Sequence, residues 1–266
     1  MAGAAAAAAA AVRRVALGEY VYGADAVLAA LSGSKRSSFH HLFVLDDVDR
    51  DDDRKRSKAM RLAEQRDLPV TAVSRQTLDF MSRQRPSNGI VLDAESVTLP
   101  TLPSISPSAG RQVWVALDQV MDPQNLGAIL RSCFFFDVAG VVLCARNSAP
   151  LSPTVAKASC GALDLLPIVE CRSMPKFLRQ SRDTCDIIGL AVDPSAVSWR
   201  YLPEPTPSKS TLLVLGNEGT GLRTLVRDQC HTLAKLDRGH RPDADFVDSL
   251  NVSTALGIAL YSMVGR

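Results

Sequence analysis

Five short apolar segments in the second half of the chain constrain its fold more than any other feature. Each has five to seven residues, and stretches with helical periodicity separate them. The segments are VWVALD (113–118), GVVLC (140–144), DIIGLAV (186–192), TLLVLG (211–216) and TLAKL (232–236). Strands that are buried on both faces of a parallel sheet have this composition. The pattern therefore predicts an α/β domain with a mostly parallel sheet, in which a ligand binds beyond the carboxyl ends of the strands.

A smaller α/β pattern precedes this sheet. A short amphipathic helix is predicted from about Gly23, because apolar residues recur there at helical spacing. The strands predicted in this region are HLFVLD (41–46), LPVTAVS (68–74) and GIVLDAE (89–95). The run 46–58 mixes six acids with five bases and has two open interpretations. It is either a solvated loop leading into an exposed helix face, or an RNA contact made by Arg54, Lys55 or Arg56.

A proline-rich stretch divides the two patterns. Residues 96–112 contain three prolines and no acid, a composition that disfavours helices and central strands. We therefore predict a small α/β domain at 17–95, a linker at 96–112 and the sheet domain at 113–266. Residues 1–16 are rich in alanine, with two arginines and no acid, which is typical of either a disordered tail or an organelle transit peptide.

A glycine-rich loop, GNEGTGL (216–222), follows one of the predicted strands. Its GxxGxG spacing is not the GxGxxG of dinucleotide sites, and no lysine with a hydroxyl residue follows, as a phosphate loop requires. The carboxylate of Glu218 would repel a phosphate but suits hydroxyl or amine donors. Two interpretations stay open at this point: a tight structural turn, or a loop whose backbone closely surrounds a ligand.

A second polar stretch, LDQVMDPQNLGAILRSC (117–133), follows the first strand of the sheet domain. Asp118, Asp122 and Asn125 lie in a turn, and Asn125 is predicted to cap a helix that begins at Leu126. Arg131 then lies on that helix beside apolar neighbours. By itself, this pattern indicates a capped helix with an arginine that extends to solvent.

A third stretch, DSLNVSTALGIALYSMV (248–264), places polar residues directly before an apolar helix. Capping by serine or asparagine explains part of the pattern. The cluster of Ser249, Asn251 and Ser253 also offers hydrogen-bond donors and acceptors to a ligand.

In this order and at these separations, the three stretches closely resemble the three motifs of the SpoU branch of the SPOUT methyltransferases, which are 2′-O-ribose methyltransferases. PTVAKASCGALDLLPI (153–168) also resembles the connecting segment of that family. YGADAVLAAL (22–31) and RPSNGIVLDAE (85–95) are similar to its ribosomal-protein-like substrate-binding domain. One position departs from the pattern: Ser87 precedes Asn88 and Gly89 where many relatives have a histidine, so an RNA contact by that histidine does not carry over.

The resemblance implies a deep trefoil knot in the carboxyl-terminal domain, which holds S-adenosylmethionine in a bent form without a metal. It also implies a homodimer with the active site at the subunit interface. The cofactor-binding residues that it implies are Gly216, Asn217, Gly219, Leu236, Leu250 and Asn251. The catalytic residues that it implies are Asn125, Arg131, Glu218, Ser249 and Asn251.

The resemblance also implies a role for each of these side chains. Arg131 would lie at the ribose and phosphate of the acceptor, where anchoring the phosphate suits a guanidinium better than removing a proton, because its ordinary pKa is too high for a base. Asn125 and Glu218 would orient the site, while Ser249 and Asn251 would line the cofactor and substrate side. The backbone of Gly216 and Gly219 would surround the adenosyl group, with Leu236 and Leu250 completing the pocket.

The function predicted from this resemblance is 2′-O-methylation of a guanosine in large-subunit ribosomal RNA of an organelle, with the mitochondrion favoured over plastid or cytoplasm. Transfer RNA is the alternative substrate, and a non-catalytic RNA-binding assembly factor is the alternative function. A nicotinamide-dependent oxidoreductase is disfavoured by the missing GxGxxG. A formal net charge of only +2 means that any RNA binding must come from a local patch. The six cysteines lack CxxC spacing and predict reduced thiols, and no membrane helix is predicted.

Overall fold

The computed structural model describes residues 16–46, 54–108, 110–239 and 249–263. Almost all of the predicted tail, residues 1–15, lies outside this range, as does most of the acidic part of the run 46–58. The described residues form two compact units, one within residues 1–98 and 151–165 and the other within residues 99–150 and 166–266. None of the helices in the described parts is long and apolar enough to cross a membrane.

The elements are numbered here in chain order. Those before residue 100 are β1 (Glu19–Tyr22), α1 (Ala24–Ser32), β2 (Phe39–Leu45), α2 (Arg54–Glu64), β3 (Val70–Val73), α3 (Arg75–Met81) and β4 (Ile90–Ala94). The next are β5 (Val113–Leu117), α4 (Pro123–Phe135), β6 (Gly140–Cys144), α5 (Pro153–Ala158), α6 (Ala162–Leu165), β7 (Ile168–Cys171) and α7 (Met174–Ser181). The last are β8 (Cys185–Leu190), β9 (Val197–Ser198), β10 (Ser210–Leu215), α8 (Thr224–Arg227), β11 (Thr232–Lys235) and α9 (Val252–Met263).

The carboxyl-terminal unit contains the predicted parallel sheet. Its strand order is β7-β6-β5-β10-β8-β11-β9, and every pairing is parallel. All five apolar segments form strands, and every residue of β10 is buried, as expected for a strand covered on both faces. The pattern missed β7 and β9, which have four and two residues. The α/β prediction for this unit is confirmed.

The amino-terminal unit is built on a mixed sheet of order β1-β4-β2-β3, in which only β2 and β3 are parallel. The three predicted strands are present, and the helix begins at Ala24 directly after Gly23. The sequence pattern missed β1, whose register pairs Glu19 with Ala94 across an antiparallel ladder. Gly23 has a φ of +96°, a value that favours glycine, and it separates this strand from the helix.

Residues 151–165 pack with the amino-terminal unit, so their predicted place in the second domain is wrong. A buried ion pair anchors them, since Arg36 Nε lies 2.7 Å from Asp164 Oδ1 and both side chains are almost fully buried. Arg36 Nη1 also donates to Glu19 at 2.8 Å. A buried arginine needs such partners because an unpaired charge is costly there. Nothing in the local pattern of 151–165 reveals a partner that lies 128 residues away.

The predicted linker is not a free spacer over its whole length. Leu102 N donates to Glu170 O at 2.8 Å, and Thr101 bridges in parallel to Glu170 at the edge of the large sheet. Ile105 is buried in the core of the carboxyl-terminal unit, and its backbone N–H donates to Ser181 Oγ at 3.0 Å. Part of the proline-rich stretch therefore packs against that unit. The buried side chain of Ile105 and the hydrogen bond of its backbone N–H stabilise this contact.

Candidate active site

The glycine-rich loop closes on itself directly after β10. Asn217 and Gly221 exchange two backbone hydrogen bonds of 3.1 and 2.9 Å, and Gly221 has a φ of +68°. A Cβ at Gly216 would lie 2.3 Å from the backbone carbonyl of Gly221, so a side chain there cannot fit. The first glycine is therefore required by contact within the loop. The resemblance to the family attributes the glycine to a ligand that lies close to the backbone. In the structure, the backbone of Gly221 already excludes a side chain at Gly216.

The side chain of Asn217 holds the loop in this shape. Its Oδ1 accepts hydrogen bonds from the backbone N–H groups of Gly219 and Thr220 at 2.9 and 3.2 Å. Its Nδ2 donates to the carbonyl oxygen of Gln119, just after β5, at 3.0 Å. Asn217 thus joins the loop to the end of the neighbouring strand, and its side-chain amide is already satisfied on both sides.

A buried ion pair joins the other end of the loop to the same strand. Arg223 Nε lies 3.1 and 3.0 Å from the two carboxylate oxygens of Asp118, which is fully buried. Hydrogen bonding to this carboxylate raises the pKa of Arg223. The sequence pattern places Asp118 in a polar turn without a further role and gives none to Arg223. The only signal for the pair is an acid at the end of a buried strand, which needs a cation.

The three sequence motifs meet at a short chain of hydrogen bonds. Asn125 Nδ2 donates to Glu218 Oε1 at 2.7 Å, and Asn251 Nδ2 donates to Asn125 Oδ1 at 2.9 Å. Asn251 Oδ1 in turn accepts from the backbone N–H and the hydroxyl of Ser253 at 2.9 and 2.6 Å. The amide of Asn125 is therefore fixed between one acceptor and one donor. Residues separated by 93 and 126 positions in the chain form one polar cluster.

The predicted cap of α4 was wrong. Asp122 occupies the cap position, and its carboxylate accepts from the backbone N–H of Gln124 at 2.8 Å, with Pro123 at the first helical position. Because Asp122 satisfies the helix terminus, the side chain of Asn125 is free to leave the first turn sideways and reach Glu218. Asn251 combines both predicted roles, since it caps α9 through Oδ1 and donates to Asn125 through Nδ2.

A cleft of about 920 Å³ lies beside the glycine-rich loop within the carboxyl-terminal unit. Predicted site residues that line it are Gly216, Asn217, Glu218, Gly219, Leu236, Ser249 and Leu250. Leucine, valine and alanine side chains from the ends of β8, β10, β11 and α9 form its apolar walls. Apolar walls suit the faces of a purine ring. The exposed backbone of the loop offers hydrogen-bonding groups to the polar atoms at the edge of such a ring. The apolar walls, the polar backbone groups and the volume of the cleft fit S-adenosylmethionine.

An ion pair stands at the rim of this cleft. Arg227 Nη1 lies 2.6 Å from Asp193 Oδ2, and both residues line the cleft. Hydrogen bonds from Ser195 and the charge of Arg227 lower the pKa of Asp193, so its carboxylate is ionised at neutral pH. The rim therefore presents both signs of charge to a ligand that itself carries an ammonium and a carboxylate.

Arg131 is separate from this polar cluster. It lies six residues beyond Asn125 on α4, so the two side chains leave the helix about 120° apart. It is exposed, and it makes no hydrogen bond or ion pair with any residue that the structure describes. Phe134 and Phe135, three and four residues further along α4, are exposed, and so are Ile258 and Tyr261 on α9, the helix that packs against α4. Within one chain, no hydrogen bond or ion pair among the described residues joins Arg131 to Asn125, Glu218 or Asn251.

Two family models match the two halves of the chain. The SpoU rRNA Methylase family model matches residues 112–261, and a model for RNA 2'-O ribose methyltransferase substrate binding matches residues 20–100. The chain belongs to the SpoU methylase family. The resemblance of the three motifs to this family is thereby confirmed, and so is that of the amino-terminal region to its substrate-binding domain.

Similar SpoU proteins cover most of the chain. The mitochondrial rRNA methyltransferase 1 of Homo sapiens is 34% identical, over 93% of this chain and 73% of its own length. Its counterpart in Schizosaccharomyces pombe is 30% identical, over 92% of this chain and 89% of its own length. The 23S rRNA (guanosine-2'-O-)-methyltransferase RlmB of Vibrio vulnificus is 32% identical, over 92% of this chain and 96% of its own length.

Solved structures support the fold of this SpoU member. The AdoMet-bound rRNA methyltransferase of Sinorhizobium meliloti superposes with a TM-score of 0.72 at 24% identity, covering 91% of this chain and 85% of that one. The SpoU methyltransferase AviRb of Streptomyces viridochromogenes, also crystallised with AdoMet, gives 0.70 at 20% identity, with 92% and 88% covered. At these identities the likeness concerns the fold alone.

Proposed function

We propose that this protein is an S-adenosylmethionine-dependent RNA 2′-O-ribose methyltransferase that acts on a guanosine of large-subunit ribosomal RNA. The hydrogen-bonded cluster of Asn125, Glu218 and Asn251 beside the glycine-rich cleft carries the proposal. It unites all three family motifs in one place. The ribosomal RNA and guanosine follow from the names of the human, yeast and bacterial relatives, which cover most of the chain.

The reaction needs an oriented hydroxyl and removal of its proton. S-adenosylmethionine, when bound, supplies an electrophilic methyl group and its own leaving group, so the ribose O2′–C bond forms as the S–C bond breaks. The cleft residues Gly216, Gly219, Leu236 and Leu250 hold the cofactor in this proposal. In the protein, Asn125 fixes Oε1 of Glu218, which leaves Oε2 to accept a hydrogen bond from the acceptor ribose. Holding both reactants in line supplies much of the acceleration.

Arg131 anchors an RNA phosphate in this proposal, and a second copy of the chain brings it into an active site. The exposed apolar side chains on α4 and α9 support a homodimer through these two helices. Phe135 is 80% exposed and Tyr261 is 72% exposed, which is unusual for aromatic residues on two helices that pack together. The family's carboxyl-terminal trefoil knot is part of the same proposal.

The test is transfer of labelled methyl from S-adenosylmethionine to unmodified large-subunit ribosomal RNA and to unmodified transfer RNA. A 2′-O-methyl linkage resists alkali and nucleases, so mapping the resistant linkage identifies the nucleotide. Methylation of ribosomal RNA at a guanosine supports the proposal, and methylation of transfer RNA alone contradicts the substrate. Cofactor binding without transfer to free or particle-bound ribosomal RNA supports a non-catalytic assembly factor.

We propose the mitochondrion as the compartment, because the human and yeast relatives are mitochondrial proteins by name. The arginines within residues 1–16 and the absence of acids there fit an import signal. A fluorescent protein fused to the carboxyl end of the full chain should colocalise with mitochondria. The same fusion lacking residues 1–16 should not, and a plastid or cytosolic signal for the full chain contradicts the proposal.

A further inference from the structure

Two cations of the amino-terminal unit are hydrogen-bonded only to neutral oxygen atoms among the described residues. Arg85 Nη1 donates to the hydroxyl of Tyr22 at 3.1 Å and also to the hydroxyl of Thr154. Lys157 Nζ donates to the side-chain carbonyl of Asn88. Neutral oxygens orient a cation without cancelling its charge, whereas a carboxylate would cancel it. Both positive charges therefore remain available to an anion.

The two cations are neighbours on one surface. Thr154, which holds Arg85, and Lys157 are three residues apart on α5 and so share a face of that helix. Gly23 leaves the space that the lysine occupies, since a Cβ there would lie 2.5 Å from Lys157 Nζ. The name Arg85–Lys157 surface is used below for Arg85, Asn88, Thr154 and Lys157.

Further positive charge lies at the edge of this surface. Arg56 of α2 has its Nη1 3.7 Å from the position of a Cβ at Gly89, directly beside Asn88. Arg83 is exposed on the loop that carries Arg85. Lys55 of α2 pairs with Asp25, with Nζ 2.7 Å from Oδ1. Cations from three elements therefore lie near the turn at Asn88 and Gly89. They come from α2, from the loop before β4 and from α5.

The loop that carries Arg85 is held in a defined shape. Arg83, Gln84 and Asn88 all have positive φ values, of 53°, 61° and 54°. Ser82 Oγ donates to the carbonyl of Arg85 at 2.6 Å, which fixes the backbone of that residue. Side chains on such a loop are oriented before a ligand arrives, so less conformational entropy is lost on binding.

We propose that the Arg85–Lys157 surface binds the phosphate backbone of the RNA substrate. This inference rests on the proposed function and adds a location to it. RNA is the favoured anion because it presents regularly spaced phosphates to several cations at once. Helix α5 lies within residues 112–261, which match the methylase model, yet it packs with the unit that matches the substrate-binding model. The RNA surface is therefore completed by a segment from the methylase half of the sequence.

The experiment measures RNA affinity against salt concentration for the full chain carrying Arg85→Gln and Lys157→Gln together. The probe is an unmodified transcript of large-subunit ribosomal RNA. Each phosphate contact contributes about 0.7 to 0.9 to the slope of log affinity against log salt, so the slope should become shallower by about 1.5. Affinity near physiological salt should fall roughly tenfold. In the transfer assay, the KM for RNA should rise while kcat is retained.

Two further variants separate phosphate binding from other effects. Lys176→Gln with Arg179→Gln removes the same charge from exposed positions on α7 of the other unit and should retain the wild-type slope. Arg85→Lys with Lys157→Arg keeps both charges and should retain most of the affinity even if thermal stability falls. An unchanged slope in the Gln variant, or an equal change in the α7 variant, overturns the proposal. The proposal is also overturned if the loss of RNA affinity among these variants follows their thermal stability and not their charge.

Failure of this inference is distinguishable from failure of the proposed function. If the wild type methylates the transcript and the Gln variant keeps its KM and slope, only the surface is wrong. If the wild type binds the transcript without methylating it, the salt slopes still test the surface while the reaction is contradicted. Inorganic phosphate that displaces RNA no better than chloride at equal ionic strength supports an extended RNA backbone over a site for free phosphate.

Discussion

Arg223 reaches both carboxylate oxygens of the fully buried Asp118, with its Nε 3.1 and 3.0 Å away. The pair joins the end of the glycine-rich loop to the end of β5, and the bond from Asn217 to the carbonyl of Gln119 joins the loop's beginning to the same strand. Gln119 has a φ of +67°, an uncommon value for a residue other than glycine. The loop that lines the cleft is therefore held at two points.

Replacing Arg223 by glutamine should loosen this loop. The substitution leaves the Asp118 carboxylate buried without its cation, and we expect a loss of about 2 to 4 kcal/mol in the free energy of unfolding, with weaker cofactor binding. Asp118→Asn combined with Arg223→Gln should recover much of the stability. Arg227→Gln, at the partly exposed rim pair, should cost less than Arg223→Gln. Denaturant unfolding and calorimetric titration of S-adenosylmethionine provide the measurements, and equal losses in the two single variants would contradict the assignment.

Glu218→Gln should reduce methyl transfer by roughly a hundredfold while cofactor binding changes little. The amide keeps the shape of the side chain, and its carbonyl can still accept from Asn125, so the polar cluster should persist. What is lost is a carboxylate oxygen able to accept the proton or hydrogen bond of the ribose hydroxyl. Single-turnover rates at saturating RNA and cofactor isolate this step, and a rate within a few-fold of wild type would exclude a chemical role for Glu218.

Asn125 offers a test of the hydrogen-bond chain itself. Asn125→Asp removes the donor to Glu218 and places a second negative charge 2.7 Å from it, whereas Asn125→Ala only removes the contact. We therefore expect transfer to fall further in the aspartate variant than in the alanine variant. Activity of the aspartate variant should recover partly at lower pH, as one carboxyl of the pair becomes protonated. A pH profile of both variants decides this, and an aspartate variant as active as wild type would argue against the cluster.

The aromatic face of α4 and α9 predicts a dependence on a second copy of the chain. Phe135→Glu should shift the protein toward a monomer, because burying a charge in an apolar interface is costly, and transfer should fall with it. Arg131→Ala should keep the dimer and cofactor binding but lose transfer. Light scattering after size exclusion, together with the transfer assay, separates these effects. A fully active monomer would contradict the proposal that the site needs a partner.

His231 predicts a pH dependence of stability in the carboxyl-terminal unit. Its Nδ1 accepts a hydrogen bond from Ile187 N at 3.0 Å, and burial together with Arg182 and Lys209 lowers its pKa below 6.5. The unfolded chain therefore binds the proton first as pH falls, so stability is full above about 6.5 and decreases below it, down to the lowered pKa. Melting temperatures between pH 8 and pH 5 should fall less steeply for His231→Leu than for wild type. Parallel curves would contradict this role.

Local sequence patterns predicted the strands of the large sheet and the family of this protein. Apolar runs of strand length located all five expected strands of the large sheet, because burial on both faces leaves a continuous apolar signature in each strand. Motif order and spacing identified the SpoU family, and with it the cleft beside the glycine-rich loop. Those signals depend only on short stretches, so they needed no knowledge of which stretches meet.

The tertiary structure decided the partners of individual side chains. The cap of α4 at Asp122, the bond of Asn125 to Glu218 and the ion pair of Asp118 with Arg223 depend on positions that are adjacent only after the sheet forms. The same reason explains why residues 151–165 join the amino-terminal unit, where Arg36 and Asp164 form a buried pair across 128 residues. Periodicity reports which face of an element is apolar, whereas charge pairing across such distances depends on how the elements pack.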